Sequence, residues 1–189
     1  WPAKQGRDAL LIEWDEGAGS TLNDEEITRR FKSAIQAGGG VAEQHGETDA
    51  AFAAGSDPIR ATYSVPYLAH ATMEPMNCTA LVEDGRCTVW APTQWQNGPS
   101  LIAGGARQVA GEMSGVGADN TVIHTTFLGG GFGRRAETDY VAEAAELASM
   151  VEGAVKVMWS REDDMQHDFY RPASHHEFMA LLDDDGMPL

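Results

Sequence analysis

The sequence predicts an α+β fold, in which mixed and antiparallel sheets carry helices packed on one face and an incomplete element precedes them at the N-terminus. Two observations support this class. A hairpin with one apolar face lies near the middle of the chain, and strand-like and helix-like segments follow each other around it without an internal repeat. Hydrophobic residues make up 42% of the chain, which is enough to expect a buried core.

The N-terminal element begins with a strand-like segment. Residues 9–14, Ala-Leu-Leu-Ile-Glu-Trp, predict a strand. Asn23 then precedes a helical pattern, with Glu26 at the spacing of a capping box. The three glycines at 38–40 predict the end of that helix.

Residues 41–58 are rich in alanine, glycine and acidic residues and hold at most one short helix, so they are interpreted as a linker. We therefore predict that residues 1–55 are the end of a preceding domain with its linker. Residues 56–189 are predicted to form the first part of a second domain, beginning with a strand at 59–65.

The dipeptide Asp84-Gly85 is the strongest local signal and predicts a two-residue turn in a hairpin at roughly 77–91. Alternate residues of this hairpin form one apolar face, as in a sheet packed on one side. These residues are Cys78, Ala80, Val82, Cys87, Val89 and Ala91. The turn places Cys78 and Cys87 on this face but too far apart for a disulfide, which predicts two free, buried thiols.

The remaining patterns predict two helices and three strands. The helices are expected at 100–113 and 137–152, with Gly153 as a cap, and the strands at 121–128, 154–159 and 178–182.

Gly129–Gly133 joins a predicted strand to a predicted helix. Glycines let backbone N–H groups approach a ligand, and a helix start offers more of them, so the segment is a candidate anion cradle. A Rossmann fingerprint would need glycine where Arg134 stands, and the P-loop pattern is absent. Judged by its own residues, the loop is equally compatible with a simple tight turn. Gln94 also allows two interpretations: its side-chain amide could donate a hydrogen bond to an oxo or phosphate group, or it could be an ordinary surface residue.

Charge and composition exclude several function classes. The net charge of −16 disfavours nucleic acid and anionic membranes as partners, although a basic protein partner remains compatible with it. No apolar run approaches the roughly 18–20 residues of a membrane span.

His167, His175 and His176 match no established spacing of metal ligands, so we interpret them as solvated.

Several segments, taken in order, resemble one family. They are VPYLAHATMEPMNCT at 65–79, WAPTQ at 90–94, LGGGFGRR at 128–135, WSREDD at 159–164 and YRP at 170–172. In this order and at this spacing they resemble the large, molybdopterin-binding subunit of the xanthine dehydrogenase and aldehyde oxidase family. The most similar branch is the isoquinoline oxidoreductase beta-subunit type. The specific motifs lie within residues 59–172, whereas residues 1–55 match the family only in the general character of their sequence and carry none of these motifs.

The resemblance implies a segment of a molybdenum hydroxylase that oxidises an N-heteroaromatic compound or an aldehyde with water as the oxygen source. It implies the molybdenum cofactor molybdopterin, in its cytosine dinucleotide form, and a small partner subunit with two iron–sulfur clusters. It further implies a periplasmic location. Relatives of this subunit are much longer, so the chain is expected to be an internal fragment that is inactive by itself.

The resemblance also assigns residues to the site. It places cofactor contacts at Gln94, Gly130, Gly131, Phe132, Gly133 and Arg134. Glu74 is expected to brace them. Arg134 and Arg135 stand where many relatives have Gly-Lys followed by glutamate, and Ala136 occupies that glutamate position, which argues against purine-type substrate recognition. The family's catalytic glutamate belongs to a motif that is absent here, so no catalytic residue is assigned.

The alternative hypothesis is an acidic domain without chemistry of its own, which binds an anionic small molecule or a protein partner. The glycine loop fits both hypotheses. A position of Gln94 beside the backbone N–H of Phe132 would favour the molybdenum hypothesis.

Overall fold

The structure is a computed structural model that describes residues 1–98 and 104–188. Its helices are α1 (Pro2–Asp8), α2 (Asp24–Ala37), α3 (Thr48–Ala54), α4 (Ala106–Ser114), α5 (Asp139–Met150) and α6 (Arg161–Gln166). Its strands are β1 (Ile59–Val65), β2 (Asn77–Glu83), β3 (Arg86–Ala91), β4 (Thr121–Thr125), β5 (Val155–Met158) and β6 (Ser174–Ala180). Short 3-10 turns lie at Gly17–Gly19, Ala118–Asn120 and Arg134–Ala136.

The chain divides into two compact units. One comprises Trp1–Val65 with Ser174–Leu189, and the other comprises Pro66–Ala173. The predicted boundary between residues 55 and 56 concerns the domains of a longer protein and stays a prediction.

The first unit contains α1 to α3 and an antiparallel ribbon of β1 and β6, in which Ile59 lies opposite Ala180. Asn23 caps α2 as predicted, because its side-chain oxygen accepts a hydrogen bond from the Glu26 N–H at 2.9 Å. The predicted strand at 9–14 is wrong. This segment has no strand partner among the described residues, and a strand needs a neighbour to satisfy its backbone.

The second unit is built on a four-stranded mixed sheet in the order β4-β3-β2-β5. Strand β2 pairs antiparallel with both β3 and β5, whereas β3 and β4 are parallel. Helices α4 and α5 pack against each other, and α5 packs on β2. The predicted α+β class with mixed and antiparallel sheets is therefore confirmed.

The hairpin of β2 and β3 has the predicted register, with Val82 opposite Cys87. Asp84 and Gly85 have φ angles of 48° and 71°, so both central turn residues adopt the left-handed conformation that such a tight turn requires. The predicted apolar face forms the core together with small residues of the helices. Its fully buried members include Cys78, Ala80, Cys87, Val89, Ala91, Tyr140, Val141, Ala144 and Ala145.

Several predicted boundaries shift. Helix α4 begins at Ala106, after Gly104 and Gly105, and positions 100–103 of the predicted helix lie outside the described residues. Strand β6 covers Ser174–Ala180 instead of 178–182, and α6 was not predicted although Ser160 and Asp163 form its capping box. Within the described residues, no helix is both long and apolar enough to cross a membrane.

The two cysteines generate a test of the core. Both are free and buried, as predicted, and burial together with the neighbouring Cys87 raises the pKa of Cys78 to about 12. At pH 8 the Cys78 thiol therefore stays protonated and shielded. Alkylation followed by peptide mass spectrometry should show both cysteines unlabelled in native protein and fully labelled in denaturant without reductant. Labelling that needs a reductant would contradict free thiols.

Candidate functional site

The glycine loop, Gly129–Gly133, leaves β4 and leads into the 3-10 turn at Arg134–Ala136. Helix α5 begins only at Asp139, so the predicted contribution of a helix start to the loop is wrong. The loop backbone is unusual in its own right. Gly130 and Gly133 have φ angles of 98°, and Phe132 has a φ of 55°, a conformation that few residues with a Cβ adopt.

Three consecutive carbonyls of the glycine loop are held by donors of the second unit. The bonds are Glu74 N–H to Gly129 O at 3.2 Å, Arg135 Nε–H to Gly130 O at 2.8 Å, and Arg134 N–H to Gly131 O at 2.9 Å. Because the C=O and N–H of a trans peptide point in opposite directions, the N–H of each following residue points away from these donors. In the part of the chain that the structure describes, the N–H groups of Gly130, Gly131 and Phe132 have no acceptor.

Gln94 lies directly against the glycine loop. Its Oε1 accepts a hydrogen bond from the Gly133 N–H at 3.1 Å, and its own N–H donates to the Arg135 carbonyl at 3.0 Å. Only the oxygen of the Gln94 side-chain amide can accept a hydrogen bond from the Gly133 N–H, so the Nε2 group of Gln94 is left to donate to another group. The structure thus brings Gln94 and the residue after Phe132 together. Glycine at position 131 leaves room for this amide, because a Cβ there would lie 2.4 Å from Gln94 Oε1 and would displace it.

Glu74 braces the first residue of the loop. Its Oε2 accepts from the Gly129 N–H at 2.9 Å and its Oε1 accepts from Asn77 at 3.0 Å, while Arg135 lies 2.9 Å from Oε2. Burial raises the pKa of Glu74, but these hydrogen bonds and the charges of Arg135 and Lys156 outweigh it and hold the pKa below its usual range. Glu74 is therefore a charged anchor and a weak proton acceptor.

Arg134 faces the interior, which differs from its predicted place among the cofactor contacts. Its side chain is 1% exposed, and its two Nη atoms donate to the Asp139 carboxylate at 2.9 and 2.7 Å. Its Nε lies 2.9 Å from Asp168 in an ion pair without hydrogen-bond geometry. The rings of Trp159 and Phe169 pack on the guanidinium. Contact between Arg134 and a cofactor stays a prediction, and its guanidinium is already engaged by other groups.

Sequence reasoning missed Arg135, which is fully buried and contacts Gly130, Glu74 and Gln94. The available signal was a pair of arginines directly after the glycines, where two positive charges must be either solvated or paired. It also missed Glu137, a buried carboxyl whose pKa is raised by burial and by the nearby Asp139.

The histidines that raised the question of a metal site have separate surroundings. His167 lies 3.8 Å from Asp139, whereas His175 contacts Ser64 and His176 contacts Ser174. Across residues 1–98 and 104–188, no group of three histidine, cysteine or acidic residues could hold a metal ion.

Comparison with known proteins places this geometry in a family. The model of the molybdopterin cofactor-binding domain matches residues 33–189. The chain therefore belongs to the family of molybdopterin cofactor-binding domains, which confirms the resemblance drawn from the sequence.

Two relatives illustrate the match. The membrane-bound aldehyde dehydrogenase [pyrroloquinoline-quinone] of Gluconacetobacter polyoxogenes is 33% identical over 185 residues, which are 96% of this chain and 23% of that protein. Isoquinoline 1-oxidoreductase subunit beta of Brevundimonas diminuta is 29% identical over 180 residues, 90% of this chain and 22% of that protein. The chain thus spans less than a quarter of the length of either relative.

Solved structures share the fold. Quinoline 2-oxidoreductase from Pseudomonas putida 86 superposes with a TM-score of 0.63 at 20% identity, over 76% of this chain and 18% of that one. Aldehyde oxidoreductase from Desulfovibrio gigas gives a TM-score of 0.60 at 20% identity, over 76% of this chain and 15% of that one.

The ion pair of Arg134 with Asp168 yields a stability prediction. Both side chains are 1% exposed, so Asp168→Asn removes a charge that compensates a buried guanidinium. Asp139 still pairs with Arg134, but Asp168 also accepts a hydrogen bond from the His70 N–H, so the variant weakens two buried interactions. The cost should be about 2 kcal/mol, and the full-length protein should show a clearly lower thermal unfolding midpoint. Asp49→Asn, on the exposed face of α3, is the matched control and should change little. Equal midpoints for the two variants would contradict this account.

Proposed function

We propose that this chain supplies one wall of the cofactor site in a molybdenum hydroxylase, which oxidises an N-heteroaromatic compound or an aldehyde with water as the oxygen source. The observation that carries the proposal is the run of three N–H groups, on Gly130, Gly131 and Phe132, that have no acceptor among residues 1–98 and 104–188 and lie beside the amide of Gln94. The names of the relatives, an isoquinoline oxidoreductase and an aldehyde dehydrogenase, support these two substrate classes.

The residues present fit the molybdenum cofactor. The cofactor is anionic, so a protein wall against it needs hydrogen-bond donors and must keep carbonyl oxygens away. The glycine loop meets both requirements, because its carbonyls at Gly129, Gly130 and Gly131 are turned to other donors. When bound, the cofactor supplies the oxidation–reduction chemistry.

In this proposal the residues of this chain bind and orient the cofactor. Gly130, Gly131 and Phe132 offer backbone dipoles whose directions are already set, so they need little reorganisation when charge develops nearby. Gln94 offers its Nε2 group, and its orientation is set by the Gly133 N–H. Phe132 is 66% exposed, and its ring supplies an apolar surface beside these donors. Arg134 supports the loop from the interior.

The proposal assigns no catalytic base to this chain. Glu74, the carboxylate that touches the loop, is held by an N–H, an amide and a guanidinium, and its pKa is lowered. A carboxylate held in this way is a poor general base near neutral pH. Turnover therefore requires residues beyond those described, and the isolated chain is expected to be inactive.

We further propose the cytosine dinucleotide form of the cofactor and a partner subunit with two iron–sulfur clusters that removes electrons. Relatives named as a beta subunit and as a molybdenum-binding subunit support a multi-subunit enzyme. A periplasmic location is proposed by family resemblance alone.

One assay separates the proposal from its competitors. The full-length protein, produced with its neighbouring subunit and the cofactor-maturation machinery, should contain about one molybdenum and one pterin per copy. Pyrroloquinoline quinone, which the name of one relative specifies, is measured on the same sample. Quinone without molybdenum would contradict the proposal. Absence of both would favour the alternative, an acidic domain that binds an anion or a protein.

Gln94→Ala tests the wall directly. Loss of its amide removes one donor and frees the Gly133 N–H, so molybdenum retention should fall about 10- to 100-fold. Gly131→Ala should act similarly, because its Cβ would displace the Gln94 amide. The double variant should be no worse than Gln94→Ala, since the clash is then gone.

The matched control for this test is Gln36→Ala, on the exposed surface of α2, which should retain molybdenum fully. Metal content by mass spectrometry of the purified protein is the measurement. Normal molybdenum in Gln94→Ala would show that Gln94 is not part of the wall.

A further inference from the structure

We infer that Arg135 is a positioning residue that turns the N–H of Gly131 toward the bound cofactor, an inference that rests on the proposed function. The carbonyls of Gly129 and Gly131 are held by backbone N–H groups, which almost every residue possesses. The carbonyl of Gly130 is held by a side chain, the Nε–H of Arg135 at 2.8 Å. Side chains also hold the N–H groups of Gly129 and Gly133, but of these three carbonyls it is the one between Gly130 and Gly131 that a side chain holds.

The guanidinium fixes this peptide relative to a second element. While Nε donates to Gly130 O, Nη2 donates to the Glu74 carbonyl at 2.6 Å and to its carboxylate at 2.9 Å. These donors belong to one rigid planar group, so the loop carbonyl and the Glu74 backbone are held in a fixed relation. A lysine ammonium is a point donor on a flexible stem and cannot reproduce this fork.

The main chain of Arg135 fixes the other half of the donor set. Its carbonyl accepts from the Gln94 N–H at 3.0 Å and from the Thr93 hydroxyl at 3.2 Å. The side chain of Arg135 therefore sets the direction of the Gly131 N–H, and its backbone sets the position of Gln94. Movement of this one residue would disturb both groups of donors.

The two arginines after the loop differ in their ion-pair partners, although each has one buried nitrogen without a hydrogen-bond partner among the described residues, Nε in Arg134 and Nη1 in Arg135. Both Nη atoms of Arg134 donate to Asp139, and Asp168 adds a second carboxylate. Arg135 is 0% exposed with Glu74 as its ion-pair partner, and its Nη1 has no hydrogen-bond partner among the described residues. A buried N–H without an acceptor carries a desolvation cost, which fold stability alone does not explain. In Arg135 this cost falls on the group that holds the Gly130 carbonyl.

The test uses the full-length protein with its partner subunit and maturation machinery. Arg135→Lys keeps the charge and loses the fork, and Arg29→Lys, at an exposed ion pair on α2, is the matched control. Molybdenum content should fall about tenfold or more in Arg135→Lys and stay normal in the control. The molybdenum that remains should give an altered electron paramagnetic resonance spectrum, which a simple loss of stability would not produce.

Amide hydrogen exchange of the wild-type protein, with and without cofactor, gives an independent test of the inference. Cofactor loading should slow exchange at the Gly131 N–H, and Arg135→Lys, where it folds, should lose this protection. Absence of slowing in loaded wild type would overturn the inference even if Arg135→Lys cannot be purified.

The remaining outcomes distinguish a failure of the role of Arg135 from a failure of the proposed function. Normal loading and an unchanged spectrum in Arg135→Lys would overturn the role of Arg135 and leave the proposed function standing. Reduced loading with an unchanged spectrum and a matching fall in the unfolding midpoint of cofactor-free protein would assign Arg135 a structural role and overturn the inference. A wild type without molybdenum and pterin would instead reject the proposed function itself.

Discussion

The hydrogen bond from the Arg135 guanidinium to the Gly130 carbonyl is the contact on which the geometry of the glycine loop depends. A loop of small residues has little intrinsic preference for one peptide direction, so the groups that hold its carbonyls decide where its N–H groups point. With the neighbouring carbonyls of Gly129 and Gly131 held by backbone donors, the loop becomes a run of N–H donors that have no acceptor in the described part of the chain. Gln94 completes this run because the Gly133 N–H fixes its oxygen.

An acidic chain can therefore build a site for an anion. The net charge of −16 would repel an anionic ligand at long range, yet at the loop the relevant charges are local. Arg134 is neutralised by Asp139 and Asp168, and Arg135 is paired with Glu74, so neither arginine reaches into solvent. Oriented backbone dipoles are then the main attraction for a ligand, as expected for a cradle of consecutive N–H groups.

The sequence was most informative where structure is local. Asp84-Gly85 and the alternating apolar residues around it determine a turn and a register with no distant partner, so the hairpin was predicted in detail. The segment at 9–14 has a strand pattern, but a strand depends on a neighbour that the pattern does not specify. Gln94 and the loop were joined only through family resemblance, since no local rule brings residues so far apart together. Arg134 and Arg135 are adjacent, and their places in the 3-10 turn, which no sequence pattern specified, separate the side chain that contacts the loop from the one that is buried beside Asp139.

The most direct test of the central claim is an experimental structure of the full-length protein with its cofactor bound. The account predicts a cofactor oxygen at hydrogen-bond distance, about 2.7–3.2 Å, from the N–H of Gly131 or Phe132 and from Gln94 Nε2. It also predicts that Arg135 still holds the Gly130 carbonyl. A cofactor bound elsewhere, with the N–H groups of the glycine loop satisfied by other parts of the protein, would contradict it.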